Sequence, residues 1–423
     1  LRILSHRFEN FIWKFENFYI ALLQNTKIMY KRHQFNLLKE RLQEPRRFIQ
    51  AIIGPRQIGK STMVKQVLED LDIPHTFESA DAVAPNNAGW IANLWESART
   101  RMRFGGLKEY LLVIDEIHKI DDWSNQVKRE WDADSFHDIN LKVVVLGSSR
   151  LLLKSGLNES LAGRFELIRM THWDYQEMRD AFGWSMEQYI YFGGYPGSAP
   201  LIQNETRWCR YVKDSIVSPS IEKDVLLTKI IYKPALIKQL FELGCSYSGE
   251  ELSLNKMIGQ LQDAGNITTL ASYLGTLSEA ELLCGMQKYA NDPARKYNSI
   301  PKLMTYNPAL FTIQSGKGFD NELMAPQRWG RWVETAIGAH LLCHAEEYNY
   351  KVYYWREKSM EVDFILQKED KLIAIEVKSG KRTTNKGLPI FRDSFHPNSA
   401  FVVGSDNVPV EEFLLLPPEK LFL

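Results

Sequence analysis

The sequence predicts an α/β chain built on a doubly wound parallel sheet, and three observations predict it. The apolar run Phe48 to Ile53 ends at a glycine-bracketed loop. Thr62 to Leu71 then reads as a helix with Met63, Val67 and Leu71 on one face. Tyr110 to Ile114 and Leu141 to Leu146 are unbroken apolar runs, as parallel strands buried on both faces require. His75 to Glu78 reads as a second strand, Trp90 to Arg103 as a helix broken by Gly105-Gly106, and Phe165 to Met170 as a further strand. Strands alternating with helices in this way define a doubly wound domain.

A chain of 423 residues exceeds the size at which a single core keeps growing, so two or three domains are expected. Lys plus Arg and Asp plus Glu number 52 each, so net charge argues neither for nor against a polyanionic partner. The cysteines Cys209, Cys245, Cys284 and Cys343 lack the short spacing of a zinc site and the density of a disulfide scaffold, which fits a reduced, cytoplasmic setting. No run of about 18 uncharged apolar residues occurs, so no membrane-spanning helix is expected. Residues 1–28 are aromatic but interrupted by Lys14, Glu16 and Asn17, unlike a signal-peptide core. Met29 is a candidate start; the alternative is a genuine N-terminal helix that docks on the first domain.

Gly54-Pro55-Arg56-Gln57-Ile58-Gly59-Lys60-Ser61 fills the pattern GxxxxGK[ST], in which glycines let backbone N–H groups wrap phosphate oxygens at the positive end of the next helix. Chance would supply such a match on the order of once in a hundred chains of this length. Lys60 is expected to reach the β- and γ-phosphates of ATP, the Ser61 hydroxyl to ligand Mg²⁺, and Thr62 to lie near the α-phosphate. Leu111 to Glu116 carries two carboxylates to a strand end, where ligands of α/β sheets bind. Asp115 is the expected Mg²⁺ partner and Glu116 the group that orients and deprotonates the attacking water. Ser148, after the next strand, is a candidate γ-phosphate sensor, and Arg164 is a candidate arginine finger against the alternative of a surface ion pair.

Gly193-Gly194-Tyr195-Pro196-Gly197 breaks the pattern and suggests a domain boundary. The expected division is an extension over 1–28, a P-loop ATPase domain over 29–200, a helical winged-helix-like domain over 201–310 and an α/β domain over 311–423. The middle part carries Leu252, Met257, Ile258 and Leu261 at helical spacing, a Gly265-Asn266 turn and a helix from Thr268; Leu282 to Tyr289 and Lys302 to Tyr306 would form the wing. Helix, turn, helix at that point fits either DNA reading or plain interdomain packing. The last part reads as a helix over Trp329 to His344, then strands over Lys351 to Arg356, Val362 to Gln367, Leu372 to Val377 and Ala400 to Val403.

With these residues assembled, the sequence resembles AAA-superfamily ATPases of bacteria and archaea that carry a C-terminal domain of unknown function with a restriction-endonuclease-like fold. The resemblance runs from about Met29 to the end. It rests on the Gly-Pro-Arg-Gln loop, Ile114-Asp115-Glu116, Leu161 to Phe165, Gly193 to Pro196, Trp355 to Phe364 and Ile375 to Ser379. It implies that Arg164 acts in an adjacent subunit's site, and hence a homo-oligomer. It also implies that Glu334, Asp363, Glu376 and Lys378 match the helix Glu and D…ExK set of the PD-(D/E)xK fold. Three such carboxylates can hold Mg²⁺ at a phosphodiester while Lys378 assists the attacking water. Cleavage of DNA or RNA is one expectation; a degenerate domain that only binds is the other, because fold does not establish function. Lys378 to Lys386, with Lys381 and Arg382, is a candidate backbone contact or a solvated loop.

Overall fold

The computed structural model describes residues 30–423 apart from 88, 148–156, 158–159, 227–230, 264, 291, 293–298, 379–385 and 405–406. The N-terminal 28 residues, the candidate sensor Ser148, and Lys381 and Arg382 of the basic stretch therefore lie outside the described residues.

Five parallel strands form the first sheet: β1 (Ile49–Ile53), β2 (His75–Ser79), β3 (Tyr110–Asp115), β4 (Leu141–Gly147) and β5 (Phe165–Arg169). Their order is β2-β3-β4-β1-β5, which puts β1 inside the sheet and β4 between it and β3. Because successive side chains alternate across a strand, β1 serves two cores at once. Ile52 joins Leu111, Val113, Val144 and Leu146 on the face covered by the helices Gln34–Gln43 and Lys60–Asp70. Ala51 and Ile53 join Leu112, Ile114, Val143 and Val145 on the opposite face, under Trp90–Gly105 and Trp123–Phe136. Burial on both faces is why these strands read as continuous apolar runs.

Beyond the sheet, the helices Tyr175–Phe182 and Met186–Phe192 each open with a reciprocal capping box, Asp174 with Glu177 and Ser185 with Gln188. The helix Glu205–Tyr211 passes into wide π-type turns over Val212–Val217 and Ser220–Val225. Then come Pro234–Ser246, Leu254–Ile258 and Ile267–Glu279, the last capped by Asn266, whose Oδ1 accepts from Thr269 N at 2.8 Å. An antiparallel pair follows, β6 (Leu283–Met286) and β7 (Lys302–Thr305), and Glu251 bridges to Lys302 beside it.

Three helices, Pro308–Ser315, Phe319–Leu323 and Pro326–His344, lead to a second sheet of β8 (Lys351–Glu357), β9 (Met360–Lys368), β10 (Lys371–Lys378) and β11 (Ser399–Gly404). The order is β11-β10-β9-β8; β8, β9 and β10 run antiparallel, and β11 is parallel to β10 after the crossover helix Gly387–Phe395. One apolar cluster runs through the chain from Phe35 to Phe422. Among the described residues no helix is long and apolar enough to cross a membrane, and all four cysteines are free.

The glycine pair of the 193–197 breaker has a steric reason. A Cβ on Gly194 would stand 1.9 Å from the Trp173 carbonyl oxygen, and one on Gly193, at φ +69°, would stand 2.1 Å from Asn307 Oδ1. The Asn307 amide oxygen also accepts from Gly194 N and caps Pro308–Ser315. The Trp173 indole, held by this junction, donates to the Ile58 carbonyl inside the glycine loop at 2.9 Å. A Gly194→Ala variant is therefore expected to lose about 2 kcal/mol or more, because the obstacle is backbone and cannot rotate away. Urea denaturation beside the wild-type chain checks this.

Candidate nucleotide site

β1 delivers its last residue, Ile53, to a loop whose bends need glycine: Gly59, at φ +90°, turns the chain into the helix Lys60–Asp70. Gln57 also takes a left-handed conformation at φ 62°. The loop's back is fixed by two buried donors to the Ile58 carbonyl, the Trp173 indole and Arg32 Nη1. Arg32 is in turn paired with Glu177 at 2.5 Å in a buried position. Pro55 and Ile58 are buried, so this loop is a packed element with its geometry set from behind.

Lys60 is folded onto the loop it belongs to, its Nζ donating to the Gly54 and Pro55 carbonyls at 2.9 and 2.7 Å. Burial pushes its pKa down to about 8, against the opposing pull of Glu116, Asp224 and Asp115. Ser61 Oγ donates to Asp115 Oδ2 at 2.6 Å, so the hydroxyl and carboxylate expected to share a cation are already adjacent across the gap from helix to β3. Burial raises the Asp115 carboxyl above its ordinary range despite that bond. Glu116 follows at φ 53°, its backbone N–H bonded to Asp115 Oδ1, and its Oε2 stands 3.5 Å from His118 Nε2. Burial pushes His118 down to about 4, so at neutral pH it is an uncharged imidazole beside the carboxylate.

Two residues the sequence reading passed over complete the site. Asp224, in the second π-type turn, binds the loop residue Arg56 through both oxygens, each at 2.7 Å, in a partly buried fork. Nothing local marks it, since its partner is 168 residues away. His118 could have been noticed as a histidine two positions after the second carboxylate, but one histidine carries no signature.

Arg164 stands elsewhere. Ile49 N bonds the Arg164 carbonyl at the start of β1 and β5, the end of the strands away from the loop, and the Arg164 guanidinium pairs with Asp132 at 2.7 and 3.0 Å. It cannot reach the loop of its own chain, because the strands between are five residues long, roughly 16 Å.

The C-terminal carboxylates do come together, around a group the sequence reading treated only as the start of a wing strand. Lys302 Nζ, on β7, lies 2.7 Å from Glu334 Oε1, 2.8 Å from Glu361 Oε1 and 3.2 Å from Asp363 Oδ1, with the lysine side chain 1% exposed. Burial alone would lower its pKa, but the three carboxylates outweigh that and hold it well above its ordinary value. Asp363 Oδ2 accepts from Val377 N at 2.8 Å, and Glu376 Oε1 pairs with Lys378 at 2.6 Å. Burial pushes both Glu334 and Glu376 up to about 7. Among the described residues no three His, Cys, Asp or Glu side chains are arranged to hold a metal ion.

Residues 46–179, which include the glycine loop and Asp115 and Glu116, match the model of a family described as an AAA domain. Residues 183–320 and 329–417 match two domains of unknown function, DUF8612 and DUF4143. No curated protein matches the chain. Among solved structures, a Walker-type ATPase of Pyrococcus abyssi is similar with a TM-score of 0.48 and 12% identity, covering 68% of this chain and 95% of that one. Two variants of Thermotoga maritima RuvB are similar at a TM-score of 0.32 and 15% and 17% identity, each covering 60% of this chain and 86% of its own.

Two substitutions separate the site's parts. Glu116→Gln is expected to bind ATP as the wild type does but to turn over roughly 10²- to 10⁴-fold more slowly, since only the proton acceptor is lost. Asp224→Asn leaves Arg56 without its charged partner, so ATP is expected to bind more tightly as the guanidinium turns to phosphate. Nucleotide titration and a steady-state phosphate-release assay read the two effects.

Proposed function

We propose that this chain binds and hydrolyses Mg-ATP, and that turnover moves a C-terminal half which handles nucleic acid by gripping it. The observation that carries the first part is the 2.6 Å contact of Ser61 with Asp115 beside a buried Lys60. A hydroxyl and a carboxylate fit Mg²⁺, which takes few protein oxygens and completes its shell with phosphate and water. Ser61 and Asp115 would hold the ion, which neutralises charge on the phosphate oxygens.

The rest follows from the chain's own groups. Lys60 turns from the Gly54 and Pro55 carbonyls to neutralise the β- and γ-phosphates, and the backbone N–H groups of the loop and the first helical turn, Pro55 excepted, take the phosphate oxygens. Glu116 accepts the proton of the attacking water, with the imidazole of His118 3.5 Å from its Oε2. Arg56, whose pair with Asp224 ties the loop to the π-type turns, is the loop's own cation for the incoming charge, so a phosphate there competes with that tie. Arg164 completes the site from a neighbouring copy, a role supported by its position at the end of its own strands away from the loop.

The helices Pro234–Ser246, Leu254–Ile258 and Ile267–Glu279 followed by the β6–β7 pair support a winged-helix reading of the middle part. Helix Pro326–His344, three antiparallel strands, the helix Gly387–Phe395 and a parallel fourth strand support a restriction-endonuclease-like reading of the last part. The metal-dependent form of that reading does not fit the residues present, because the carboxylates already surround an ammonium group. The same observation favours a second reading, a nucleotide-driven switch whose last part grips a protein. Turnover stimulated by DNA or RNA supports the first reading; turnover indifferent to both, with no footprint on either, supports the second.

One mixing experiment tests both turnover and assembly. Arg164→Ala and Lys60→Ala are each expected to be inactive, and their mixture to regain part of the wild-type rate, since a mixed interface joins an intact loop to an intact arginine. Absence of rescue in verified mixed oligomers removes the role in a neighbouring copy.

A further inference from the structure

We propose that Lys302 is a built-in cation, which holds the carboxylate set of the second sheet in the place a divalent ion would take and so makes that set metal-independent. The warrant is geometric. Three carboxylates from two elements, Glu334 on Pro326–His344 and Glu361 and Asp363 on β9, converge on one ammonium from a third, β7. The distances of 2.7, 2.8 and 3.2 Å leave no room for a second cation among the same oxygens. Of the remaining expected oxygens, Glu376 Oε1 is paired with Lys378 and Asp363 Oδ2 accepts from Val377 N, while Glu376 Oε2 is buried without a hydrogen-bond partner, a single oxygen rather than a metal shell.

Lys302 is anchored so that withdrawal is costly. Its strand is held by the Glu251 bridge and by two backbone bonds, Gly249 N to the Leu303 carbonyl and Leu303 N to the Glu250 carbonyl. Met304 packs directly on Gly338, where a Cβ would stand 2.6 Å from the sulfur, so β7 lies against the helix that carries Glu334. Arg356 bridges Glu251 and Glu361 across the rim. A lysine buried among three carboxylates also fixes how the middle part sits on the last one, because removing it leaves unpaired negative charge in a partly buried site.

The inference stands on this cluster and not on the nucleotide site, so its failure leaves the ATPase reading untouched. The test is Mn²⁺ titration of the nucleotide-free full chain, followed by calorimetry and by melting temperature. Wild type is expected to show no metal uptake that Asp363→Asn removes, and any change of melting temperature with Mn²⁺ is expected to be the same in wild type and Asp363→Asn. Lys302→Met is expected to melt lower in chelator, to gain Mn²⁺ uptake that a further Asp363→Asn abolishes, and to be raised in melting temperature by the ion. If Lys302→Met folds only when Mn²⁺ is present, that dependence is itself the expected result. The inference falls if wild type takes up Mn²⁺ through Asp363. It also falls if Lys302→Met matches wild type in both stability and metal uptake, or if it stays unfolded with and without the ion while the charge-conserving Lys302→Arg folds.

Discussion

An ammonium group buried against backbone carbonyls sets the character of the first site. Lys60 meets the Gly54 and Pro55 oxygens at hydrogen-bond distance, and burial draws its pKa down to about 8. A charge in that position is poorly compensated, since carbonyl dipoles replace only part of the hydration it has lost. The surrounding structure keeps it there: β1 is fixed between β4 and β5, and the Ile58 carbonyl is tied from behind by Trp173 and Arg32. On the proposed function a triphosphate would relieve this arrangement, giving Lys60 a full counter-charge and the first turn of the helix Lys60–Asp70 an anion.

Two further ion groups connect that site to the rest of the chain, and they differ in kind. Arg56 with Asp224 is partly exposed, bidentate and made by a residue of the nucleotide loop, so an anion in the loop competes for it directly. The group around Lys302 has a fully buried ammonium, more acceptors than donors, and is made by residues of the middle and last parts. The first is suited to change during turnover; the second is suited to persist through it. Coupling would then run from the loop to the π-type turns, and the cluster at Lys302 would carry the middle and last parts as one unit.

The main elements were legible because they rest on local pattern. β1, β3 and β4 announce themselves as apolar runs buried on both faces, and the loop after β1 is spelled out by its glycines, Lys60 and Ser61. The second sheet was legible for the same reason, its four strands matching the expected runs to within a few residues. What escaped is tertiary pairing. Asp224 finds Arg56 across 168 residues, and Lys302 finds Asp363 across 61, with no spacing rule to connect them. Lys302 entered only as the first residue of a wing strand, and nothing in that position marks it as one of the most buried side chains among the described residues. Glu361 escaped because it precedes the more conspicuous Asp363 on the same strand face.

The central claim is that the Gly54–Ser61 loop binds Mg-ATP through Lys60 and that Asp115 and Glu116 turn it over. Its most direct test is a paired measurement on the purified chain and on Lys60→Ala, with ATP affinity taken by calorimetry and phosphate release followed in the presence of Mg²⁺. The wild-type chain is required to bind and hydrolyse ATP, and the folded Lys60→Ala chain to lose both. A folded Lys60→Ala chain that binds and hydrolyses ATP as the wild type does would contradict the claim.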